Sequence, residues 1–191
     1  MSRNQWVRSM TNIIGVIGRG TGLSSIPFLQ DLYLRLFSSF VPDRDVWVPF
    51  DGQEMLIPNP KKNDLSRMIY LHGSWEDIVS RILCQEVGRG MTTLDIGAHV
   101  GYYTLLMAKR VGEDGRVFAF EPNAEVRKYI EQSVQRNGYS HVTLCPYALF
   151  HKGGFGALEG SDNLKSRLSQ QLDVSEGSFP VVVFDDVKMG L

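Results

Sequence analysis

The chain has 191 residues, 43% hydrophobic and 21% charged, which suits one globular domain with a substantial core. Twenty Lys and Arg stand against twenty-one Asp and Glu, a formal net charge of -1, so no basic excess supplies the footprint of a general nucleic-acid binder. No apolar run reaches the roughly 18 residues that a membrane span needs. The N-terminus carries positive charge but no sustained apolar core ahead of a cleavage site, so a cytoplasmic chain without a secretory signal is expected. Cys84 and Cys145 sit singly in apolar runs, as small buried thiols of a reducing compartment do. No His/Cys cluster has metal-ligand spacing, and no metal is expected.

Taken in order, the chain opens on a loosely patterned stretch that ends in the Gly18, Gly20, Gly22 cluster. Ser24 and Ser25 precede a helical stripe of Ile26, Leu29, Leu32, Tyr33, Leu36, Phe37 and Phe40, expected to pack on the domain. It lacks the basic polar face of a membrane-surface helix. Residues 1–44 thus read as a helical extension and 45–191 as the domain proper. VWVPF and QEMLIP then flank Asp51-Gly52, a hairpin-turn dipeptide. Ser74, with Asp77 at capping-box spacing, is expected to open a helix that buries Ile78, Val79, Ile82, Leu83 and Val87 and stops at Gly88 and Gly90.

From residue 92 the pattern alternates. TTLDI (92–96) reads as a short buried strand, residues 102–111 as a helix stopped by Gly112, and RVFAF (116–120) as a second strand. Asn123 caps a helix through Gln135 that ends near Gly138, and VTLCPYAL (142–149) reads as a third strand. Strand–helix–strand–helix–strand with short turns predicts an α/β fold with a parallel sheet. The Gly- and Ser-rich segment 151–178 shows no clear pattern, and FPVVVF (179–184) reads as a further strand.

The chemistry concentrates where the first of these strands ends, in Leu94-Asp95-Ile96-Gly97-Ala98-His99-Val100-Gly101. Glycine at 97 and 101 is expected to leave room for a ligand against the backbone. The helix beyond presents free N–H groups and a partial positive charge. Glu121, at the end of the second strand, stands where an acid hydrogen-bonds both hydroxyls of a ribose. The spacing D-x-G-x-x-x-G differs from the G-x-G-x-x-G that admits a pyrophosphate. Asp95 suits a ligand with an ammonium group, and S-adenosylmethionine has an ammonium, a sulfonium and a ribose but no phosphate.

The stretch LDIGAHVGYYTLLMAKRVGEDGRVFAFEPNAEVRKYIEQSVQRNG resembles the core of the FkbM-type S-adenosylmethionine-dependent methyltransferases, a likeness that covers roughly residues 45 to 186. The combination of DIGA-x-x-GYYT with FAFEP is its most specific part. The resemblance implies a Rossmann-like class I methyltransferase sheet with helices on both faces, preceded here by the N-terminal helix and hairpin. It also implies O-methylation of a hydroxyl on a sugar or other small-molecule or glycan acceptor. On the matching positions, Asp95, Gly97, Ala98, His99 and Gly101 would line the methionine portion of the cofactor. Glu121 and Pro122 would lie at the ribose, the backbone at Tyr147 and Ala148 near the adenine, and Tyr103 and Thr104 beneath the cofactor.

Two departures from that family stand out. His99 occupies a place where members often carry Asn, so the turn is arranged differently or the imidazole faces the substrate, unless it is an ordinary core or surface histidine. The family's continuation, approximately KIDVEGAE with further strands, is absent before Leu191, so either a truncated or frame-shifted product or a missing half supplied from elsewhere is expected, without full autonomous activity. Removal of a hydroxyl proton would fall to His72, Glu76 or His99; Asp185 and Asp186 are weaker candidates on the substrate side. The rivals are a non-catalytic nucleoside-binding pseudoenzyme and an NAD-dependent oxidoreductase. Self-association is left open.

Overall fold

The computed structural model describes residues 41–151, 153–159, 167–171 and 179–183. The helix expected over Ile26 to Phe40, and with it nearly all of the 1–44 extension, lies outside these residues, as do Phe184, Asp185 and Asp186. The chain divides into two compact units, one formed by residues 1–52 with 57–77 and the other by 53–56 with 78–191.

In the first unit, strand β1 (Val46–Phe50) runs into Asp51 and Gly52, which have φ of 47° and 72°. Positive φ at both central residues is the condition of a type I′ turn, so the expected hairpin turn is present, and strand β2 (Gln53–Ile57), whose residues 53–56 belong to the second unit, follows it. Helix α1 (Asp64–His72) was not anticipated from the sequence, although its punctuation is ordinary. The Ser66 amide donates to Asn63 Oδ1 (2.8 Å) at its start, and Gly73, at φ 77°, ends it with its N–H on the Ile69 carbonyl. Ser66, Ile69, Tyr70 and Leu71 are its buried residues.

Helix α2 (Asp77–Glu86) begins at the residue that the capping-box reading places third in the helix. Glu76 has φ 45°, off the helical path, so Ser74 does not cap the helix. Its expected buried face is also corrected. Ile78, Val79 and Ile82 are 66%, 46% and 54% exposed, whereas Leu83 and Val87 pack on the cluster of Met107, Ala108, Val111 and Val117. Helical spacing marks an apolar stripe; it does not say what covers it.

The centre of the second unit is a parallel three-stranded sheet, β3 (Thr92–Ile96), β4 (Arg116–Phe120) and β5 (Val142–Cys145), in that order. β4 is the middle strand and is buried from Val117 onward. β3 is an edge strand among the described residues, and the expectation that it is buried holds only for Asp95 and in part for Thr93 and Leu94; Thr92 and Ile96 are exposed. Helices α3 (Tyr102–Val111) and α4 (Ala124–Asn137) cover one face of β4. Met107, Ala108 and Val111 pack on Val117, and Ile130 packs on Ala119. The alternate residues Phe118 and Phe120 face the other way, beside Cys145, Leu94, Tyr147 and Leu149.

The expected strand 142–149 is two strands. Pro146, which has no N–H to donate, separates β5 from β6 (Ala148–Leu149). β6 joins a second sheet of order β6-β9-β7-β8, where it runs parallel to β9 (Phe179–Val182). β7 (Gly154–Glu159) and β8 (Arg167–Gln171) pair antiparallel within the segment that has no legible pattern in the sequence.

Polar side chains of α4 tie residues 53–56 to this unit. The Leu56 amide donates to Ser133 Oγ (3.0 Å), the Glu54 amide to Asn137 Oδ1 (3.0 Å), and Asn137 Nδ2 returns a bond to the Glu54 carbonyl (2.7 Å). Ser133 is fully buried and Leu56 nearly so. Ser133→Ala therefore strands a buried N–H and is expected to lower the unfolding free energy by about 1–3 kcal/mol, measurable by urea titration.

Candidate cofactor-binding site

Parallel pairing brings the C-terminal ends of β3 and β4 to one edge, with Asp95 opposite Ala119 and Ile96 opposite Phe120. The chain leaving β3 turns at once. Gly97 N and Ala98 N both donate to the Phe120 carbonyl (2.9 and 3.0 Å), which closes the turn onto the end of β4. Gly97, His99 and Gly101 have φ of 80°, 53° and 87°.

The two glycines serve different ends. A Cβ at Gly97 would meet nothing within 4 Å, so that position faces open space, as a backbone that accepts a ligand must. A Cβ at Gly101 would lie 3.1 Å from both γ carbons of Ile130. Gly101 thus admits α4 against the start of α3, and the expectation that it clears space for a ligand is corrected.

Asp95 and Glu121 are 9% and 8% exposed. Thr104, in the first turn of α3, donates its hydroxyl to Asp95 Oδ2 at 2.5 Å. Burial raises the Asp95 pKa above its ordinary value, against the lowering effect of the Thr104 bonds. Glu121 uses its two oxygens to join two loops: Oε2 accepts from His99 N and Oε1 from Asn123 N, both at 2.9 Å. Burial raises its pKa too, opposed by those two amides and by Arg127, while Asp95 adds to the rise. An ionised carboxylate has about four acceptor sites, so the two amides leave room for two hydroxyl donors. A buried acid at the strand end, an open glycine and a second acid with spare acceptor capacity fit an ammonium and a vicinal diol.

The remaining expected site residues are distributed as follows. Ala98 is buried in the cluster of Ala119 and Ile130. Tyr103 packs on the Met107–Val117 cluster and stands edge-on to Tyr102, with ring centroids 5.1 Å apart. The Pro122 carbonyl accepts from Arg127 Nη1 (3.3 Å), as does the Glu121 carbonyl (2.9 Å). Tyr147 lies edge-on to Phe120, and Ala148 is paired with Val181 in the second sheet. His72 ends α1 and Glu76 precedes α2, both in the first compact unit. Arg127 and the Thr104 bond to Asp95 were missed from the sequence. A basic residue four positions into a helix after an acidic strand end was the available signal for Arg127. Among the described residues no His, Cys, Asp and Glu group could hold a metal, and no helix is long and apolar enough to cross a membrane.

Residues 62–148 match the family model of protein-L-isoaspartate(D-aspartate) O-methyltransferase. Two curated relatives carry the name protein-L-isoaspartate O-methyltransferase. The one from Methanococcoides burtonii is 37% identical over 65 residues, 33% of this chain and 32% of the relative. The one from Aeropyrum pernix is 38% identical over 53 residues, 28% and 20% of the two chains. The matched segment is a class I methyltransferase core. The cofactor of that class, S-adenosylmethionine, prevails over the NAD weighed on the sequence. The chain spans about a third of one relative's length and a fifth of the other's. Among solved structures, an S-adenosylmethionine-dependent methyltransferase from Aquifex aeolicus is 24% identical at a TM-score of 0.31, over 39% of this chain and 47% of that one. A protein-L-isoaspartate O-methyltransferase is 23% identical at 0.30, over 55% and 29%. The expected small-molecule or glycan acceptor is overturned, because the family model and both relatives are named for an acceptor in protein.

Two outcomes are expected for the ligand-free chain. Because folding raises the Asp95 pKa, stability falls as pH rises from the unfolded value of 3.8 through the raised folded one. Asp95→Asn, whose amide oxygen still accepts from Thr104, should melt higher than wild type at pH 7, by about 2–4 °C per kcal/mol gained. The gap should close below pH 3.8 in thermal melts. Separately, Gly101→Ala should lower Tm more than Gly97→Ala, since both strain a positive φ but only the first drives a Cβ into Ile130.

Proposed function

We propose that the chain binds S-adenosylmethionine at the 95–101 turn and transfers its methyl group to a carboxylate oxygen in a protein or peptide, with L-isoaspartyl residues as the acceptor. The observation that carries this reading is the family match over residues 62–148, which spans both the Asp95 turn and Glu121. Asp95 takes the cofactor's ammonium group and Glu121 its ribose hydroxyls. The backbone of Gly97, Ala98 and His99 lies along the methionine portion, with Pro122, Tyr147 and Ala148 on the nucleoside side. The bound cofactor supplies a methyl group on a sulfonium.

A carboxylate acceptor simplifies what the protein must do. Such an acid is already ionised at neutral pH, so no proton has to be removed before attack. The base role considered for His72, Glu76 and His99 is then unnecessary, and catalysis rests on alignment and exclusion of water. The FkbM-type kinship, supported by the GYYT helix opening and FAFEP, stands beside this as a second reading of ancestry. The free thiols of Cys84 and Cys145 support a reducing, cytoplasmic location.

The test incubates the chain with methyl-labelled S-adenosylmethionine and a peptide carrying either L-isoaspartate or L-aspartate at one position. Base-labile label on the isoaspartyl peptide alone is expected, with His99→Asn within about threefold of wild type and a rate that stays flat across neutral pH. Cofactor binding without label would reject the acceptor and favour the pseudoenzyme reading. Absence of binding would reject the cofactor assignment itself.

A further inference from the structure

The loop that carries Glu121 has three residues, 121–123, between β4 and α4. Most of its polar groups are engaged locally. Glu121 N donates to the Cys145 carbonyl (3.0 Å), Pro122 has no N–H, and Asn123 Oδ1 accepts from Glu125 N (2.9 Å) at the helix N-cap. The Asn123 carbonyl takes the Arg127 amide (2.8 Å). The carbonyls of Glu121 and Pro122 are the acceptors that local structure does not serve.

Both are served by one side chain. Arg127 Nη1 lies 2.9 Å from the Glu121 oxygen and 3.3 Å from the Pro122 oxygen, and its two hydrogens allow one bond to each. On its other side the guanidinium pairs with Glu131 through Nε at 3.5 Å, and the side chain is only 18% exposed. The planar fork is thus held between α4 and the loop, an arrangement that a point-charged ammonium cannot copy. We propose that Arg127 is a positioning residue, which fixes the 121–123 main chain so that the Glu121 carboxylate reaches the amides of His99 and Asn123.

The consequence for function rests on the cofactor reading above. A displacement of the Glu121 main chain by about an ångström would take its carboxylate out of hydrogen-bonding range of the His99 amide. The clasp between glycine turn and acidic loop would open, and the oxygens offered to a ribose would move with it. The guanidinium also favours the ionised form of Glu121, against burial.

The experiment measures amide hydrogen exchange by NMR on the whole ligand-free chain, in wild type and Arg127→Met. Exchange at His99 and Asn123 should quicken by about tenfold or more, while Phe118 and Ala119 in β4 stay protected. Unchanged exchange at His99 and Asn123 would overturn the proposal. Should Arg127→Met not fold, Arg127→Lys, which keeps the charge without the fork, decides by the same readout. Calorimetry with S-adenosylmethionine supplies the second arm. Arg127→Met should weaken binding about tenfold in the wild-type background and have no further effect in Glu121→Gln. Equal losses in both backgrounds would also overturn it. Failure of the wild type to bind S-adenosylmethionine would defeat only the cofactor reading, because the exchange result needs no ligand.

Discussion

Two neighbouring strands that run parallel must end at the same edge of their sheet, and here that edge receives two acids. The register of β3 on β4 sets Asp95 opposite Ala119, and the Phe120 carbonyl then accepts from both Gly97 and Ala98 as the chain turns back. The turn is thereby stitched to the strand whose next residue is Glu121. Every later feature of the site follows from that closure: His99 brings its amide to Glu121, and the helix start brings Thr104 to Asp95. In parallel α/β sheets ligands bind beyond the carboxyl ends of strands, because only there do several loops converge on one place.

The closure carries an energetic cost. Asp95 and Glu121 are both raised in pKa by burial, and the charge of Asp95 makes the ionised form of Glu121 harder still to hold. Neighbouring groups offset part of this: a hydroxyl on Asp95, two amides and a guanidinium around Glu121. No such arrangement would arise from packing alone, since apolar residues at both positions would stabilise the fold more cheaply. A cationic ligand with vicinal hydroxyls would relieve both acids on binding. Destabilising polar burial at a strand end is what marks this edge as the candidate site.

Gly97 and Gly101 show how one motif can hide two constraints. Both are left-handed, and in sequence they read alike as residues that keep a path clear for a ligand. One faces open space and the other faces Ile130, so only the second is required by helix packing. The acceptor illustrates a different limit. Local motifs pointed to a cofactor through Asp95 and Glu121, which stand at the ends of successive strands, but they carried no information on the substrate.

Much of the fold was legible because its signals are local. The Asp51-Gly52 turn, the Asn123 cap, the Gly138 stop and the alternation of strands and helices from 92 to 145 each depend on a few adjacent residues. The same holds for Asp95 and Glu121, which lie at strand ends that periodicity locates. What tertiary structure alone decided is where those elements meet. The stripe on α2 is amphipathic in sequence and largely bare in the fold, and β5 hands over to a second sheet at Pro146. The Glu121 clasp and the Arg127 fork are likewise contacts between loops distant in sequence or across a helix turn. Propensity and hydrophobic period are properties of a segment, whereas burial and hydrogen-bond partners belong to the assembled chain, so the sequence could name the acids but not what holds them in place.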